Sequence, residues 1–343
     1  ILAVAFTALG VLGADTLLRL QSTPEDVFPE AHTYLTIYFS GLLGLLLYNM
    51  GSGILRAVGD SRRPLYFLVF SAVINTALDL IFVVALGMGV EGVAYATIIA
   101  QFLSALLTLF VLTRDHAPYG IHWNRLCIDL PTLKRIISIG LPSGIQQAIT
   151  SFSNVFVQGY INFFGSACMA GWSSYNKLDA FTLIPMQAIA MASTTFVGQN
   201  YGAGRLDRVK KGTWVTLAMG LVYTLATGAL LLLGQDAIMH LFTNDETVVF
   251  FGEAAMHWFC PFYFLLSILH GLAGAVRGTG ASVPPMVVLL VSLCLFRIVW
   301  IQWLLPLFSG IDGVFILYPV SWALGAGLMI LYAWKGKWME YHA

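Results

Sequence analysis

Residues 53–64 read Gly53-Ile-Leu-Arg56-Ala-Val-Gly59-Asp-Ser61-Arg-Arg-Pro64, and residues 274–285 read Gly274-Ala-Val-Arg277-Gly-Thr-Gly280-Ala-Ser282-Val-Pro-Pro285. Both spell G-x-x-R-x-x-G-x-S-x-x-P, 221 positions apart. The offset persists without a gap. It pairs Ser71 with Ser292, Leu86 with Leu307, Gly89 with Gly310, Gly92 with Gly313 and Val93 with Val314; upstream it pairs Gly13 with Gly234 and Asp15 with Asp236. A register held over that distance points to an internal duplication rather than coincidence in glycine-rich sequence.

The duplicated material is membrane sequence. Of the 343 residues, 58% are hydrophobic and 10% charged, whereas a soluble domain carries about 25% charged residues. Lys and Arg number 17 and Asp and Glu 17, so there is no net basic field to hold nucleic acid. A bilayer core of about 30 Å takes roughly 20 apolar residues per helix. Ten such stretches can be drawn, at 1–18, 33–55, 65–87, 92–113, 136–164, 167–198, 213–234, 248–273, 284–306 and 313–334. Continuous runs such as Leu42–Leu47 lack the alternation of a membrane β-barrel. The expected fold is an all-α polytopic bundle, kinked where Pro142, Pro185, Pro261 and Pro319 interrupt spans.

Charge placement sets the orientation. Fourteen of the 17 basic residues fall in alternate loops and the C-terminus: Arg56, Arg62 and Arg63; Arg114, Arg125, Lys134 and Arg135; Arg205, Arg208, Lys210 and Lys211; Arg277; Lys335 and Lys337. The opposite loops collect acids, among them Asp15, Glu25, Asp26, Glu30, Glu91, Asp236 and Asp312. Positive charge resists translocation, so the linker and the C-terminus are expected in the cytoplasm of a multi-pass protein of the cell membrane. The domain reading is a first lobe at 1–113, a cytoplasmic linker at 114–135, a second lobe at 136–334 and a tail at 335–343. Trp123, Trp172, Trp214, Trp258, Trp334 and Trp338 lie near span ends and read as interfacial anchors. The four cysteines (127, 168, 260 and 294) form no C-x-x-C pair.

Both repeat copies lead from the basic side to the acidic side, so the duplication is parallel, one of the two plans of secondary transporters. Residues from about 131 to 221 have no counterpart ahead of Ile1, where neither a Met nor a basic flank stands. The expectation is a chain lacking two spans and the start of a third, which in full would hold six plus six.

The motifs resemble those of multidrug and toxic compound extrusion (MATE) transporters. The resemblance rests on G-x-x-R-x-x-G-D-x-R-x-P at 53–64, Asn75-x-x-x-Asp79, Gly89-x-x-Gly92 and Thr97. It rests equally on Gly140-Leu-Pro142 and on Val197-Gly-Gln199-Asn200-Tyr-Gly202-Ala203-Gly-Arg205. It runs along essentially the whole chain. It implies a two-lobe bundle exporting cationic or amphiphilic compounds in exchange for Na⁺ or H⁺, without a cofactor. The expected partners are the bilayer and small molecules, with no nucleic acid, and the chain is expected to act as a monomer.

Asp79 is the leading candidate for cation coupling, because a carboxylate inside a span persists only if paired, protonated or wetted. Asn75 lies one turn earlier on the same face, and the short loop Leu86–Glu91 brings Thr97 back beside them. Carboxylate, amide and hydroxyl oxygens suit a hard cation such as Na⁺, and no other metal is expected. The resemblance matches these three positions to the family's first-lobe cation site, which also uses an Asp from a span absent here. The alternative is a bare Asp–Asn hydrogen bond. At the repeat positions stand Phe296, Trp300 and Tyr318, so the site is not duplicated.

A substrate pathway is drawn through Lys177, Asp179, Gln147, Asn154 and Gln158. Lys177 and Asp179 are two residues apart on one helix and point in nearly opposite directions, so each needs another partner. Gln147, Asn154 and Gln158 repeat at seven and four along one face; interhelical hydrogen bonding is the competing reading. Arg297 is read as structural, with Asp179 as one conceivable counter-ion. Some family members carry carboxylates near Thr150 and Leu266, which this chain lacks. Arg56, Gly59, Pro64, Gln199, Asn200, Gly202, Arg277 and Gly280 belong to loops read as structural or gating: carbonyl capping by Arg, turns at Gly, helix starts at Pro.

Gly198–Gly204 lacks the G-K-[ST] of a phosphate-binding loop, and no HExxH, GxSxG or catalytic His/Asp set occurs. The histidines (32, 116, 122, 240, 257, 270 and 342) have no metal spacing. An enzyme is therefore not expected. The alternative function is a flippase for a lipid-linked saccharide or other amphiphile, which needs a strongly basic central cavity.

Overall fold

The computed structural model describes every residue except 1, 21–24, 26, 115–118, 123, 125, 309, 336–337 and 340–343, and at 2 and 20 the backbone alone. Asp26, Trp123, Arg125, Lys337 and the histidines at 116 and 342 therefore lie outside the described residues. No strand occurs among the described residues. The chain divides into two compact units, Ile1–Cys127 and Ile128–Ala343.

The first unit holds α1 (Leu2–Leu20), α2 (Phe28–Ser40), α3 (Leu42–Ala57), α4 (Arg62–Asp79) and α5 (Gly89–Arg114), with α4 continued by a π-helical turn over Leu80–Ala85. Helices α2 and α3 meet at a 45° bend at Gly41. Helix α3 runs beside α5: a Cβ on Gly44 would lie 3.1 Å from the Phe102 backbone nitrogen, and one on Gly51 would strike Thr108.

The second unit holds α6 (Leu130–Phe163), α7 (Ser166–Gly202), α8 (Leu206–Leu233), α9 (Gln235–His240), α10 (Glu246–Phe259), α11 (Tyr263–Gly278), α12 (Val283–Leu290), α13 (Phe296–Val299), α14 (Asp312–Phe315) and α15 (Leu317–Lys335). Short 3₁₀ or π turns join α10 to α11 and α12 to α13, and continue beyond α13. The duplication is visible in the breaks. Offset by 221, α3 maps onto α11 residue for residue, α4 begins where α12 begins, and α5 ends where α15 ends. The bend at Gly41 maps to the 3₁₀ turn Cys260–Phe262, and the π turn after Asp79 maps closely to the π turn Trp300–Leu304. Gly59 and Gly280 both have φ 91°. This left-handed conformation lets Gly59 N–H reach the Arg56 carbonyl (3.0 Å) and Asp60 N–H reach that of Leu55 (2.9 Å), closing the end of α3.

All ten expected spans fall on helices or broken helices. Among the described residues seven are long and apolar enough to cross a bilayer, and the bent α2–α3 pair makes an eighth if its two helices count as one span. Helices α1 and α6 are not among them. In α6 the five amide side chains between Gln146 and Asn162 lower the hydropathy of a helix of 34 residues.

In lipid each freed backbone carbonyl needs a protein partner. Pro185, inside α7, cannot donate to the Phe181 carbonyl one turn back. Tyr223 of α8 supplies that hydrogen, its hydroxyl 2.6 Å from the Phe181 oxygen. In the same way Ser153 of α6 donates to Leu293, within the π turn that follows α12, at 2.6 Å.

Helices α7 and α11 approach through glycine: a Cβ on Gly274 would lie 2.5 Å from the Ala190 carbonyl oxygen, and one on Gly278 2.7 Å from that of Thr194. Close backbone approach at small residues is how membrane helices gain packing without a hydrophobic drive. Gly274→Ala is expected to cost about 1–3 kcal/mol through forced separation of the helices. Gly327→Ala, where a Cβ meets nothing within 4 Å, is expected to be neutral or to gain about 0.5–1 kcal/mol. Melting temperatures of the purified variants in detergent check this; equal values for the two would refute the packing role of Gly274.

Candidate functional site

The first candidate site lies at the end of α4. Ser71 donates to the Ala100 carbonyl at 2.6 Å, and a Cβ on Gly92 would lie 2.9 Å from that of Phe82, which fixes the antiparallel register of α4 and α5. In that register Thr97 stands at the level of Asn75 and within about one turn of Asp79. Asp79 Oδ1 and Asn75 Nδ2 are buried with no hydrogen-bond partner among the described residues, so the bare Asp–Asn bond does not form. Thr97 donates to its own-helix Val93 carbonyl at 2.9 Å, leaving its oxygen lone pairs to accept. The π turn opens immediately after Asp79; such turns recur at functional positions because they release the regular hydrogen-bond ladder. At the repeat positions, Trp300 Nε1 donates to the Gly313 carbonyl at 2.9 Å and Tyr318 is 9% exposed, so aromatic bulk fills the second copy.

The second candidate site is a cavity of about 570 Å³ within the second unit, lined from α6, α7, α11, α15 and the broken α12–α13 segment. That size suits a drug-sized molecule. Gln147, Asn154 and Gln158 all line it, as does Asp179. Gln158 accepts from Trp172 Nε1 at 2.8 Å and donates to Asn162 at 2.8 Å. Asp179 Oδ1 accepts from Tyr263 (2.6 Å) and Tyr175 (3.1 Å), and the two tyrosine oxygens are 2.6 Å apart. Arg297 also lines the cavity, donating to Asn154 Oδ1 and Ser321 Oγ, each at 3.2 Å, with its guanidinium 4.3 Å from the Tyr318 ring centre. Among the described residues Arg297 makes no ion pair, so it does not neutralise Asp179.

Three expectations are corrected. Lys177 does not line the cavity; it is exposed, and its Nζ stands 5.9 Å from the ring centre of Phe242, beyond α9. A 37-residue α7 is about 55 Å long, longer than the hydrocarbon core, so position along the run misplaces Lys177 within the bilayer. Trp172 is no interfacial anchor: it is 6% exposed and packs with Phe259, Phe315 and Tyr318. Arg277 is not confined to its loop; Nη1 donates to Gln146 Oε1 at 3.2 Å, and the side chain reaches the cavity.

The remaining loop residues have structural places. Arg56 is half-buried, and Pro64 is buried with its carbonyl accepting from Tyr48 at 3.0 Å. Asn200 is buried and donates to the Phe196 carbonyl at 2.8 Å, while Gln199 is exposed. Gly202 closes α7, but the left-handed residue of this turn is Gly204, φ 69°, whose N–H meets the Tyr201 carbonyl at 2.9 Å. Tyr175 and Tyr263, which hold Asp179, are not among the expected site residues. Tyr263 follows the Cys260-Pro261 break, and that break was its available signal.

Removing both hydroxyls that serve Asp179 leaves a carboxylate oxygen without donors in a low-dielectric interior, at about 1–3 kcal/mol per lost bond. The double variant Tyr175→Phe/Tyr263→Phe is therefore expected to melt below Asp179→Asn, which keeps an oxygen acceptor for both tyrosines. The reverse order of melting temperatures would overturn this assignment.

The MatE family model matches residues 1–81 and 142–302. The chain is 31% identical over 342 residues to the "Probable multidrug resistance protein YpnP" of Bacillus subtilis (strain 168), covering 98% of this chain and 75% of that protein. It is 26% identical over 348 residues to the "Probable multidrug resistance protein NorM" of Thermotoga maritima, covering 98% of this chain and 73% of the relative. Among solved structures it resembles a crystal structure of MATE in the bent conformation, with a TM-score of 0.90 at 22% identity, over 97% of this chain and 74% of that one. With the duplicated helical plan and the apolar spans, these matches settle its place: the chain belongs to the MATE family of membrane transporters.

Proposed function

We propose that the chain is a secondary active exporter of amphiphilic organic compounds, cationic ones among them, exchanging cargo for Na⁺ or H⁺ by alternating access. The observation that carries the coupling half is Asp79: a buried carboxylate oxygen without a donor, beside a π turn, with Asn75 and Thr97 close in register. A hard cation or a proton satisfies such an oxygen. Rotation of the Asn75 amide offers its own oxygen to the same ion. The cavity of the second unit supplies the volume for cargo, and relatives named for multidrug resistance support organic compounds as that cargo. The chain acts as a monomer in this reading. The flippase alternative is not favoured: with Lys177 outside, the cavity's fixed cations reduce to Arg277 and Arg297.

Asp79→Asn is expected to lower gradient-driven dye efflux roughly tenfold or more at unchanged protein level, as removal of an intramembrane coupling group does. Efflux measured in cells over a panel of cationic and anionic dyes checks this, and wild-type rates in the variant would sink the role of Asp79.

The same proposal places residues 114–135 and the C-terminus in the cytoplasm of the cell membrane, supported by the placement of the basic residues. Among the cysteines, Cys127 is exposed and Cys168, Cys260 and Cys294 are buried. A membrane-impermeant maleimide is expected to label Cys127 in inside-out vesicles and not in intact cells. Labelling in intact cells would invert the orientation.

A further inference from the structure

The charge of the cavity does not match a cationic cargo. Arg297 is 3% exposed and its hydrogen bonds go to neutral groups, Asn154 and Ser321. Arg277 donates to neutral Gln146. Among the described residues neither guanidinium has a carboxylate within ion-pair distance. Among the described residues Asp179 is the one acid lining the cavity, and its Oδ1 is already held by Tyr175 and Tyr263. Two fixed cations therefore face one carboxylate. A guanidinium carries five N–H donors, and Arg297 uses two of its own on these neighbours. A buried charge left without a counter-ion is strongly disfavoured, so the free protein holds a standing demand for an anion.

The wall beside Arg297 is aromatic. Tyr318 lies under its guanidinium, Phe259 is 4.9 Å and Trp172 5.7 Å from Tyr318 between ring centres, and Trp322 adjoins them. The partners of Arg277 and Arg297 on α6, Gln146 and Asn154, are eight residues apart, about 12 Å along the helix. The two cations thus mark different levels of the cavity and do not share one small group.

We propose that the cavity of the second unit selects drug-sized aromatic compounds bearing an anionic group such as a carboxylate or sulfonate. Arg297 takes the anion and the ring rests on the adjoining aromatic wall, while Arg277 attracts the anion at the other level. This deepens the export reading, on which it rests, by naming the charge class of its cargo. Within the amphiphilic cargo of that reading, anionic compounds are the ones this cavity prefers, and cationic ones bind it more weakly.

The test is fluorescence anisotropy of fluorescein, an aromatic anion, and ethidium, an aromatic cation, titrated with the purified protein in detergent. Fluorescein is expected to bind about tenfold tighter than ethidium. Arg297→Gln is expected to weaken fluorescein about tenfold while ethidium holds or tightens, and Arg297→Lys to fall between Arg297→Gln and the wild type, since the point charge survives but the planar donor fork stacked on Tyr318 does not. Asp179→Asn, which leaves the tyrosines an acceptor, is expected to tighten fluorescein and weaken ethidium. Loss of fold weakens both dyes together, so opposite signs separate recognition from stability. Tighter binding of ethidium to the wild type, or full fluorescein affinity in Arg297→Gln, overturns the proposal. Dye flux in proteoliposomes separates the two readings. The expected binding pattern without gradient-driven movement of either dye retains the cavity's selectivity and defeats export. Gradient-driven ethidium export without fluorescein binding does the opposite.

Discussion

Everything in this molecule answers to one constraint: inside hydrocarbon, each charge and each free backbone polar group must find its partner within the protein. The backbone meets it by helix formation. Exceptions are met by specific side chains, the Tyr223 hydroxyl at the carbonyl freed by Pro185 and the Ser153 hydroxyl at the π turn after α12. Side-chain charge meets the constraint by scarcity and placement. Few charges lie deep in the spans, and those whose demands are unmet, Asp79 in the first unit and Arg297 in the second, are where ligands are to be sought.

The duplication gives α2–α5 and α10–α15 a matching backbone and lets the side chains diverge. The bends, the glycine-closed turns and the π turn recur at an offset of 221. The contents at matching positions do not. Asn75, Asp79 and Thr97 give way to Phe296, Trp300 and Tyr318, replacing oxygen ligands by aromatic surface. Tyr318 then carries Arg297 on its ring. A shared helical frame thus bears a small polar pocket in one copy and an aromatic wall in the other, which accords with the proposed separation of ion coupling from cargo binding.

Most of the fold was legible in the residues because its determinants are periodic or positional. Apolar runs located ten helical segments, seven of them long and apolar enough among the described residues to cross a bilayer, and a gapless offset gave the duplication. The spacing of Gln147, Asn154 and Gln158 gave one face of α6, which lines the cavity. What escaped depends on which helix meets which, information that a single helix does not contain. Lys177 and Asp179 were separable by angle, yet nothing in their spacing says which faces inward. Trp172 sits where an interfacial tryptophan belongs in sequence and packs against Phe315 from the distant α14. Arg277 belongs to a loop motif by spacing but reaches Gln146, 131 residues away.

In the proposed function this chain joins the downhill flow of an ion to the uphill flow of an organic solute. The most direct measurement follows both fluxes in the same proteoliposomes, under separately imposed Na⁺ and pH gradients. Solute is expected to accumulate against its gradient while one of the two ions runs down its own. An ionophore collapsing that ion gradient is expected to stop the accumulation. Solute movement that is only ever downhill, at a rate indifferent to both gradients, would contradict this coupling.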